Sequence, residues 1–509
     1  MTHRSPFRPA ALPALAALLW AGAAAGDESS PGERIAELVR RFRGETRARV
    51  GVHAVRLDGG RTLCAIDADR PMVPASNQKV LTSAVALKRL GADFRFRTRV
   101  GLSGDDLVVY GDGDPTTGDA RLCEARGEGV HAVFDRWAAA LKAAGVERIA
   151  GDLVIRAGIF RPPRVHPDWP RDQLQRWYAA PVAGANYNDN CLDIGFEVAG
   201  GKARPRIRPV TRFLAVHNKV KVAGKHVWSC RFSSSGRGIR LTGWVKRTTP
   251  DPYPVAVPRP AVLFGCVLAE RLARAGIEVN GRIRTTAEAA DAAGARAGFR
   301  PVATAETPLA DVLARANTQS LNMMAECLFL RSAAGPGRPA SWGSAARTAA
   351  EVLREAYGLD ERRFRVADGS GLSKRNRVTP AAITRLLRAL ASEGPFVDSL
   401  AVAGRTGSAR RRLKRCRGRL RVKTGSLAGA SALSGYVLDP SGRPAVAFSI
   451  LTNGRTHGKK LTAKRMEDAI CECLLRGLDA ARAEGDRQAR PAAGATTRPA
   501  RRRSPRRGP

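Results

Sequence analysis

The sequence has few acidic residues and few long apolar runs, and each shortage excludes a class of protein. Asp and Glu together number 46 against 86 Lys and Arg in 509 residues, a net charge of +40. Such an excess attracts polyanions such as nucleic acid, anionic lipid or acidic cell-wall polymers. Beyond residue 25 no stretch approaches the ~20 consecutive apolar residues of a membrane-spanning helix. A helical membrane protein is therefore excluded, and the 44% hydrophobic content supports a packed core.

Metal-binding patterns are also missing. The seven histidines are scattered without ligand spacing, and no pair of C-x-x-C motifs is present. We therefore predict no metal and no cofactor. The nine cysteines are odd in number and irregularly spaced, so disulfides are conceivable but their pairing stays open. They are Cys64, Cys123, Cys191, Cys230, Cys266, Cys327, Cys416, Cys471 and Cys473.

The two ends of the chain differ from its centre. Arg4 and Arg8 precede an apolar run over 10–25, and a polar segment follows. This is typical of a secretory signal peptide cleaved after Ala25. It predicts an exported, periplasmic or otherwise extracytoplasmic protein, soluble or peripherally associated with the envelope, with no specific nucleic acid as partner. Residues 484–509 are rich in Arg, Pro and Ala. They predict a disordered basic tail that contacts polyanionic envelope material, the alternative being a solvated tail without a specific role.

Between the ends, the apolar spacing predicts a mixed α/β chain long enough for about three domains. Short β-like runs dominate from residue 94 to about 300, whereas helical patterns precede and follow that region. The predicted helices span 34–43, 76–90, 262–275, 308–330 with a break near 318–319, one starting at Pro380, and 466–478. The predicted strands include 48–57, 65–67, 96–100, 107–110, 151–155, several within 211–243, 420–425, 432–439 and 445–453.

A serine and a lysine stand three residues apart at the start of the second helix. Ser76 and Lys79 are followed by the apolar segment 80–87. Residues i and i+3 of a helix share one face, so the ammonium lies beside the hydroxyl. A serine hydroxyl becomes a strong nucleophile only when a neighbour takes its proton. Lysine can do so if burial or a nearby cation lowers its pKa. Alone, the pair could equally be two surface residues.

Two later motifs support the catalytic interpretation. Ser320 and Asn322 lie in the long helical region, and Lys423-Thr424-Gly425 lies on a predicted strand. The order Ser-x-x-Lys, Ser-x-Asn, Lys-Thr-Gly occurs in β-lactamases and penicillin-binding proteins. It suggests that Ser76 attacks a carbonyl and that Lys79 takes its proton. Ser320 then passes the proton to the leaving amine, and Asn322 holds the substrate and Lys79.

The third motif would bind the substrate. Lys423 and Thr424 can hold a terminal carboxylate, and Gly425 lets the substrate lie along the strand. Backbone N–H groups of Ser76 and Ser426 would stabilise the oxyanion.

With these motifs the chain resembles the class C low-molecular-mass penicillin-binding proteins, the D-alanyl-D-alanine carboxypeptidase/endopeptidase family, over about residues 35–478. The further stretches that carry the resemblance are 111–115, 178–182, 188–190, 325–326, 368–373, 376–380 and 423–433. The resemblance implies an α/β (α+β) penicillin-recognising serine-transpeptidase/β-lactamase-like domain with two inserted β-rich domains. The implied catalytic domain is 26–93 with 301–483, inserted domain II is 94–185 with 260–300, and inserted domain III is 186–259.

The resemblance implies hydrolysis of D-Ala-D-Ala, or of the related cross-link, in peptidoglycan stem peptides through an acyl-enzyme on Ser76. It also implies covalent inhibition by β-lactams. Two alternatives stay open: a β-lactamase, and a catalytically silent protein that binds cell wall or polyanions. The chain departs from the family pattern at Leu321, usually Asp, and in the loop 405–408, usually with Asp-Gly-Thr. Arg156 stands where the family usually has an aspartate that receives a diaminopimelate amine. This predicts altered side-chain specificity, unless a different acid such as Asp152 takes that role.

Overall fold

The computed structural model describes residues 30–286, 298–335 and 337–488. The predicted signal peptide and most of the predicted tail lie outside the described residues. Helices occupy α1 (Pro31–Thr46), α2 (Gln78–Leu90), α3 (Ala120–Ala125), α4 (Ala132–Ala143), α5 (Pro260–Arg274), α6 (Leu309–Thr318), α7 (Asn322–Arg331), α8 (Trp342–Glu355), α9 (Pro380–Ala389), α10 (Gly394–Ser399) and α11 (Ala463–Gln488). None of these helices has both the length and the apolar character that crossing a membrane requires.

The strands are numbered in chain order. They are β1 (Arg49–Arg56), β2 (Thr62–Ile66), β3 (Arg95–Ser103), β4 (Asp106–Tyr110), β5 (Arg148–Ile149), β6 (Leu153–Arg156), β7 (Cys191–Ala199), β8 (Lys202–Arg208), β9 (Ala215–Val222), β10 (Val227–Phe232), β11 (Gly238–Val245), β12 (Tyr253–Ala256), β13 (Glu278–Val279), β14 (Ile283–Thr286), β15 (Phe299–Pro308), β16 (Phe364–Arg365), β17 (Arg377–Val378), β18 (Ala401–Val402), β19 (Leu420–Leu427), β20 (Ala430–Leu438) and β21 (Pro444–Asn453).

One sheet is built from both ends of the chain. Its order is β18-β19-β20-β21-β1-β2, and all its pairs are antiparallel. Side chains alternate between its faces, as the pleat requires. On β21, Phe448 and Ile450 pack with α1 and α11, whereas Ala447 and Leu451 face α2, α7 and α9. The sheet therefore lies between two helical layers, and the fold is the mixed α/β one that the motifs predicted.

The β-rich region between residues 95 and 308 forms two larger sheets. The first has the order β14-β6-β4-β3-β15, and the second has the order β10-β11-β9-β8-β7-β12. Ile155 of the first and Phe196 of the second belong to one buried cluster with Phe264 of α5. The two sheets therefore share a hydrophobic core. The exact domain boundaries remain a prediction.

Several elements differ from the expectation. Helix α4 was not predicted within the β-like region, although Phe134, Trp137 and Leu141 follow helical spacing and are buried. Helix α8, which Ser341 caps, was also missed. The terminal helix α11 is longer than predicted and continues to Gln488, past residue 484, where the tail was expected to begin. The predicted break after α6 is confirmed, since α7 begins at Asn322.

Candidate active site

Ser76 lies in a tight turn before α2 rather than on the α-helix itself. A 3₁₀ turn spans Ala75–Asn77, and α2 begins at Gln78. Ala75 has φ 47°, in the left-handed region that non-glycine residues rarely adopt. The turn packs against the loop around Gly371, where a Cβ would lie 1.8 Å from the Ala75 carbonyl oxygen. Only glycine fits there, so this contact holds the serine turn in place.

Lys79 is buried and hydrogen-bonded on three sides. Its Nζ lies 3.1 Å from Ser76 Oγ, 2.7 Å from Asn322 Oδ1 and 3.0 Å from the carbonyl oxygen of Ser370. Burial lowers the pKa of Lys79 to about 7, against the opposing charges of Glu326 and Asp368. At neutral pH a substantial fraction of this amine is therefore unprotonated. An unprotonated amine within hydrogen-bond reach of the hydroxyl can act as its general base.

Two buried carboxyl groups lie behind the lysine. Glu326 is fully buried and accepts the backbone N–H groups of Gly369 and Ser370 at 2.7 and 2.9 Å. Burial, followed by repulsion from Asp368, raises the pKa of Glu326 to about 8. Asp368 accepts the indole N–H of Trp169 at 2.9 Å. Glu326 thereby fixes the 369–370 backbone, whose carbonyl at Ser370 in turn holds Lys79.

The second and third motifs meet at a hydrogen bond between side chains. Lys423 Nζ donates to Ser320 Oγ at 2.8 Å and to the carbonyl oxygen of Thr424 at 2.9 Å. Burial, followed by repulsion from Lys79, lowers the pKa of Lys423 well below its usual value. A bound carboxylate would reverse that repulsion, so this position suits an anionic group. Ser320 has φ 63°, at the break between α6 and α7 that points its side chain toward Lys423.

Strand β19 leaves one edge open next to the serine. Its neighbour β18 pairs only with Arg421 and Val422, so within the described part of the chain the segment from Lys423 to Leu427 has no strand partner on that side. At Gly425 a Cβ would lie 3.0 Å from Ser76 N and 3.0 Å from the Pro74 carbonyl oxygen. We predicted that glycine makes room for substrate here. The structure adds another reason, because glycine lets the strand approach the serine turn.

Two further residues, Tyr178 and Ser408, contact the site although the motifs assigned them no role. Asn322 Nδ2 donates to the Tyr178 carbonyl oxygen at 2.7 Å, which orients the amide oxygen toward Lys79. Thr424 Oγ1 donates to Ser408 Oγ at 2.7 Å, so the divergent loop 405–408 supplies a hydroxyl at this point. Ser426 is exposed at the rim of the site. All eight predicted site residues therefore lie in one cluster.

This arrangement can be compared with known proteins. The model of the "D-Ala-D-Ala carboxypeptidase 3 (S13) family" matches residues 33–475. The chain belongs to this S13 family.

Relatives agree with the S13 assignment over most of their length. The chain is similar to a D-alanyl-D-alanine carboxypeptidase of Actinomadura sp. (strain R39), with 28% identity over 451 residues, 82% of this chain and 80% of that protein. It is similar to the carboxypeptidase DacB of Haemophilus influenzae, with 25% identity over 436 residues, 80% of this chain and 86% of that protein. The crystal structure of penicillin binding protein 4 (dacB) from H. influenzae shares the fold, with TM-score 0.71, 23% identity, 87% of this chain and 99% of that one.

These findings confirm the predicted family, fold class and serine-type peptidase class. Sequence reasoning missed the roles of two groups in this site, Glu326 and Asp368. Both lie in stretches that carried the resemblance to the family. A buried carboxyl group has no sequence signature of its own. The S13 protein also contains no disulfide among its nine cysteines, all of which lie in described segments.

The position of Arg156 bears on the predicted side-chain specificity. Its guanidinium carbon lies 5.3 Å from the centroid of the Tyr110 ring, on the five-stranded sheet. Asp152, the alternative acid, accepts from Arg284 Nη1 at 2.9 Å and from the backbone N–H of Arg282. A carboxylate held by arginine is poorly suited to receive a substrate amine. The altered specificity at Arg156 remains a prediction.

Proposed function

We propose that the protein is a serine D-Ala-D-Ala carboxypeptidase that cleaves peptidoglycan stem peptides through an acyl-enzyme on Ser76. The observation that carries this is the hydrogen bond of 3.1 Å between Lys79 Nζ and Ser76 Oγ, combined with a lysine pKa of about 7. The penultimate D-Ala carbonyl would lie above Ser76, along the open edge of β19. The terminal carboxylate would lie at Lys423 and Thr424.

The chemical steps follow from the geometry. Lys79 takes the Ser76 proton as Oγ bonds to the carbonyl carbon, and the oxyanion accepts hydrogen bonds from the Ser76 and Ser426 N–H groups. The C–N bond then breaks, and the proton that Lys79 took passes through Ser320 to the leaving amine, which leaves Lys79 neutral again. Lys423 lies 2.8 Å from the Ser320 hydroxyl and orients it. Water then attacks the ester carbonyl as Lys79 takes its proton, and the ester C–O bond breaks as Lys79 returns that proton to Ser76 Oγ, which releases the shortened peptide.

The same acylation chemistry opens a β-lactam ring, so penicillins would label Ser76. Cleavage of a cross-link by the same steps would make the protein a DD-endopeptidase as well. The intact hydrogen-bonded set argues against a catalytically silent protein. A β-lactamase would need a glutamate beside the ester, and Glu326 is instead bonded to Gly369 and Ser370 behind Lys79.

Two further parts of the proposal concern location and partners. Export, predicted from residues 1–25, would place the protein where peptidoglycan is found. The envelope contact predicted for the basic residues 484–509 falls almost entirely outside the described residues. Both remain predictions from sequence.

The test is covalent labelling of the full chain with a fluorescent penicillin. Wild type and Ser441→Ala, a surface-turn control, should be labelled equally, and Ser76→Ala should not be labelled. Hydrolysis of a soluble stem pentapeptide ending in D-Ala-D-Ala should be lost in the same variant. Labelling of Ser76→Ala, or no labelling of the wild type, would overturn the assignment.

A further inference from the structure

A cavity of about 720 Å³ lies between the two edges of the sheet β10-β11-β9-β8-β7-β12. Strands β10 and β12 are the first and last strands of that sheet, yet residues of both line the same cavity. The rings of Trp228 on β10 and Tyr253 on β12 are 6.3 Å apart at 85°. The sheet therefore curls until its edges face each other without pairing. We call the space between them the edge cavity. Its size falls in the range of roughly 300–1,000 Å³ typical of small-ligand sites.

Aromatic rings form much of the wall of the edge cavity. Trp228, Trp244 and Tyr253 all line it, and Trp244 is 40% exposed. Phe196 supports Trp228 from the sheet interior, with ring centroids 5.3 Å apart. Such rings combine a flat apolar face with a polar N–H or O–H at the edge. They suit a ligand whose own surface alternates between apolar and polar faces.

The charged groups around these rings carry both signs. Asp172 and Asp251 line the edge cavity together with Arg176, and Lys225 Nζ lies 3.8 Å from the centroid of the Trp244 ring. Because carboxylates and cations occur together there, the cavity does not favour a polyanion. Carboxylates and guanidinium groups instead bind hydroxyl and amide groups by charge-assisted hydrogen bonds. A sugar is a neutral polar ligand with apolar ring faces, and it fits this lining.

One segment connects the edge cavity to the active site. Arg176 Nη1 donates to Tyr253 Oη at 2.6 Å, and the Gln175 carbonyl accepts from Ala256 N at 3.1 Å. Two residues after Arg176, the Tyr178 carbonyl oxygen accepts a hydrogen bond from Asn322 Nδ2. A ligand in the edge cavity would thus lie beside the same short segment that holds the catalytic asparagine.

We propose that the edge cavity binds the amino-sugar glycan strand of peptidoglycan. This rests on the proposed function, because the ligand would be the glycan to which the stem peptide bound at Ser76 is attached. An extended peptide is the competing occupant, since strand edges can add a further strand. The edge of β12 is already covered, however, by the bridge between Arg176 and Val255. On the β12 side the cavity therefore presents side chains rather than a free strand edge, which favours the sugar there.

The first test is calorimetric titration of the full chain with chitotetraose, a soluble β-1,4-linked N-acetylglucosamine oligomer. Loss of one stacking ring should weaken binding about 2- to 12-fold. We expect this for Trp244→Ala, and weaker binding also for Asp251→Asn, which keeps the shape of the side chain. Val216→Ala is the control, because Val216 is 42% exposed on β9 of the same sheet and lies outside the cavity lining.

Equal affinity in wild type and both cavity variants, or no binding by the wild type, overturns the proposal. The proposal also fails if the wild type binds a sugar-free stem pentapeptide and Trp244→Ala abolishes that binding.

The second test separates this inference from the proposed function. Trp244→Ala should leave kcat/KM for a sugar-free stem pentapeptide unchanged and lower kcat/KM for the same peptide on a disaccharide by the factor found in the titration. If both substrates are hydrolysed equally by both proteins, the glycan site is wrong and the peptidase assignment stands. If neither is hydrolysed, the peptidase assignment fails and chitotetraose binding still decides the cavity.

Discussion

Gly425→Ala tests whether β19 sets the position of the Ser76 amide. The added Cβ would lie 3.0 Å from Ser76 N, 3.0 Å from the Pro74 carbonyl oxygen and 3.1 Å from Ala432 Cβ. Ordinary contacts of a Cβ begin near 3.4 Å, so the neighbouring atoms must retreat by about 0.4 Å. Two of those atoms are backbone and cannot rotate away. The φ angle at Gly425 is outside the left-handed region, so the effect of alanine is steric.

The retreat moves the Ser76 N–H, which we propose as an oxyanion donor. Removing one such donor outright costs roughly 10²–10³-fold in rate. Because displacement by a few tenths of an ångström weakens the donor without removing it, we expect acylation to slow by about 10- to 100-fold. The assay is the second-order rate constant for labelling by a fluorescent penicillin, measured from a time course at several concentrations.

Two further variants identify the contact responsible. Gly195→Ala adds a methyl to β7 of another sheet, where the nearest atoms are at an ordinary 3.6 Å, and it should acylate like wild type. Adding Ala432→Gly to Gly425→Ala relieves only the contact at 3.1 Å, so the double variant should stay slow. Wild-type acylation by Gly425→Ala, or recovery in the double variant, would refute the reasoning.

Three other predictions concern the lysines and a helix cap. Acylation should rise with pH through a midpoint near 7 and then level off, because we propose neutral Lys79 as the base; a rate still rising at pH 9 would contradict this. Lys423→Ala should reduce kcat/KM roughly 10- to 150-fold for a peptide with a free terminal carboxylate and much less for its amide; equal losses would exclude carboxylate binding. Thr379→Ala removes the side chain that caps α9 at Ala382 N, 3.0 Å away, and should cost about 1 kcal/mol in urea unfolding; an unchanged midpoint would show that the cap contributes nothing.

The sequence by itself predicted most of the local elements and the candidate reacting groups. Thr379 and Pro380 predicted the start of α9, and the apolar alternation after Ala445 predicted β21, because caps and periodicity act within a few residues. The three motifs pointed to Ser76, Ser320 and Lys423, since β-lactamases and penicillin-binding proteins carry those side chains in that order along the chain. The helices α4 and α8 were missed because their spacing competed with neighbouring β-like or loop patterns.

Only the tertiary structure decided how these groups act on one another. The pKa of Lys79 falls because residues hundreds of positions away bury it, and Glu326 and Asp368 oppose that fall from behind. The close approach of Gly425 to Ser76, and of Gly371 to Ala75, joins segments that no local pattern connects. The edge cavity exists because β10 and β12 curl toward each other. Burial, electrostatic coupling and packing depend on distances between remote residues, and those distances arise only when the chain folds.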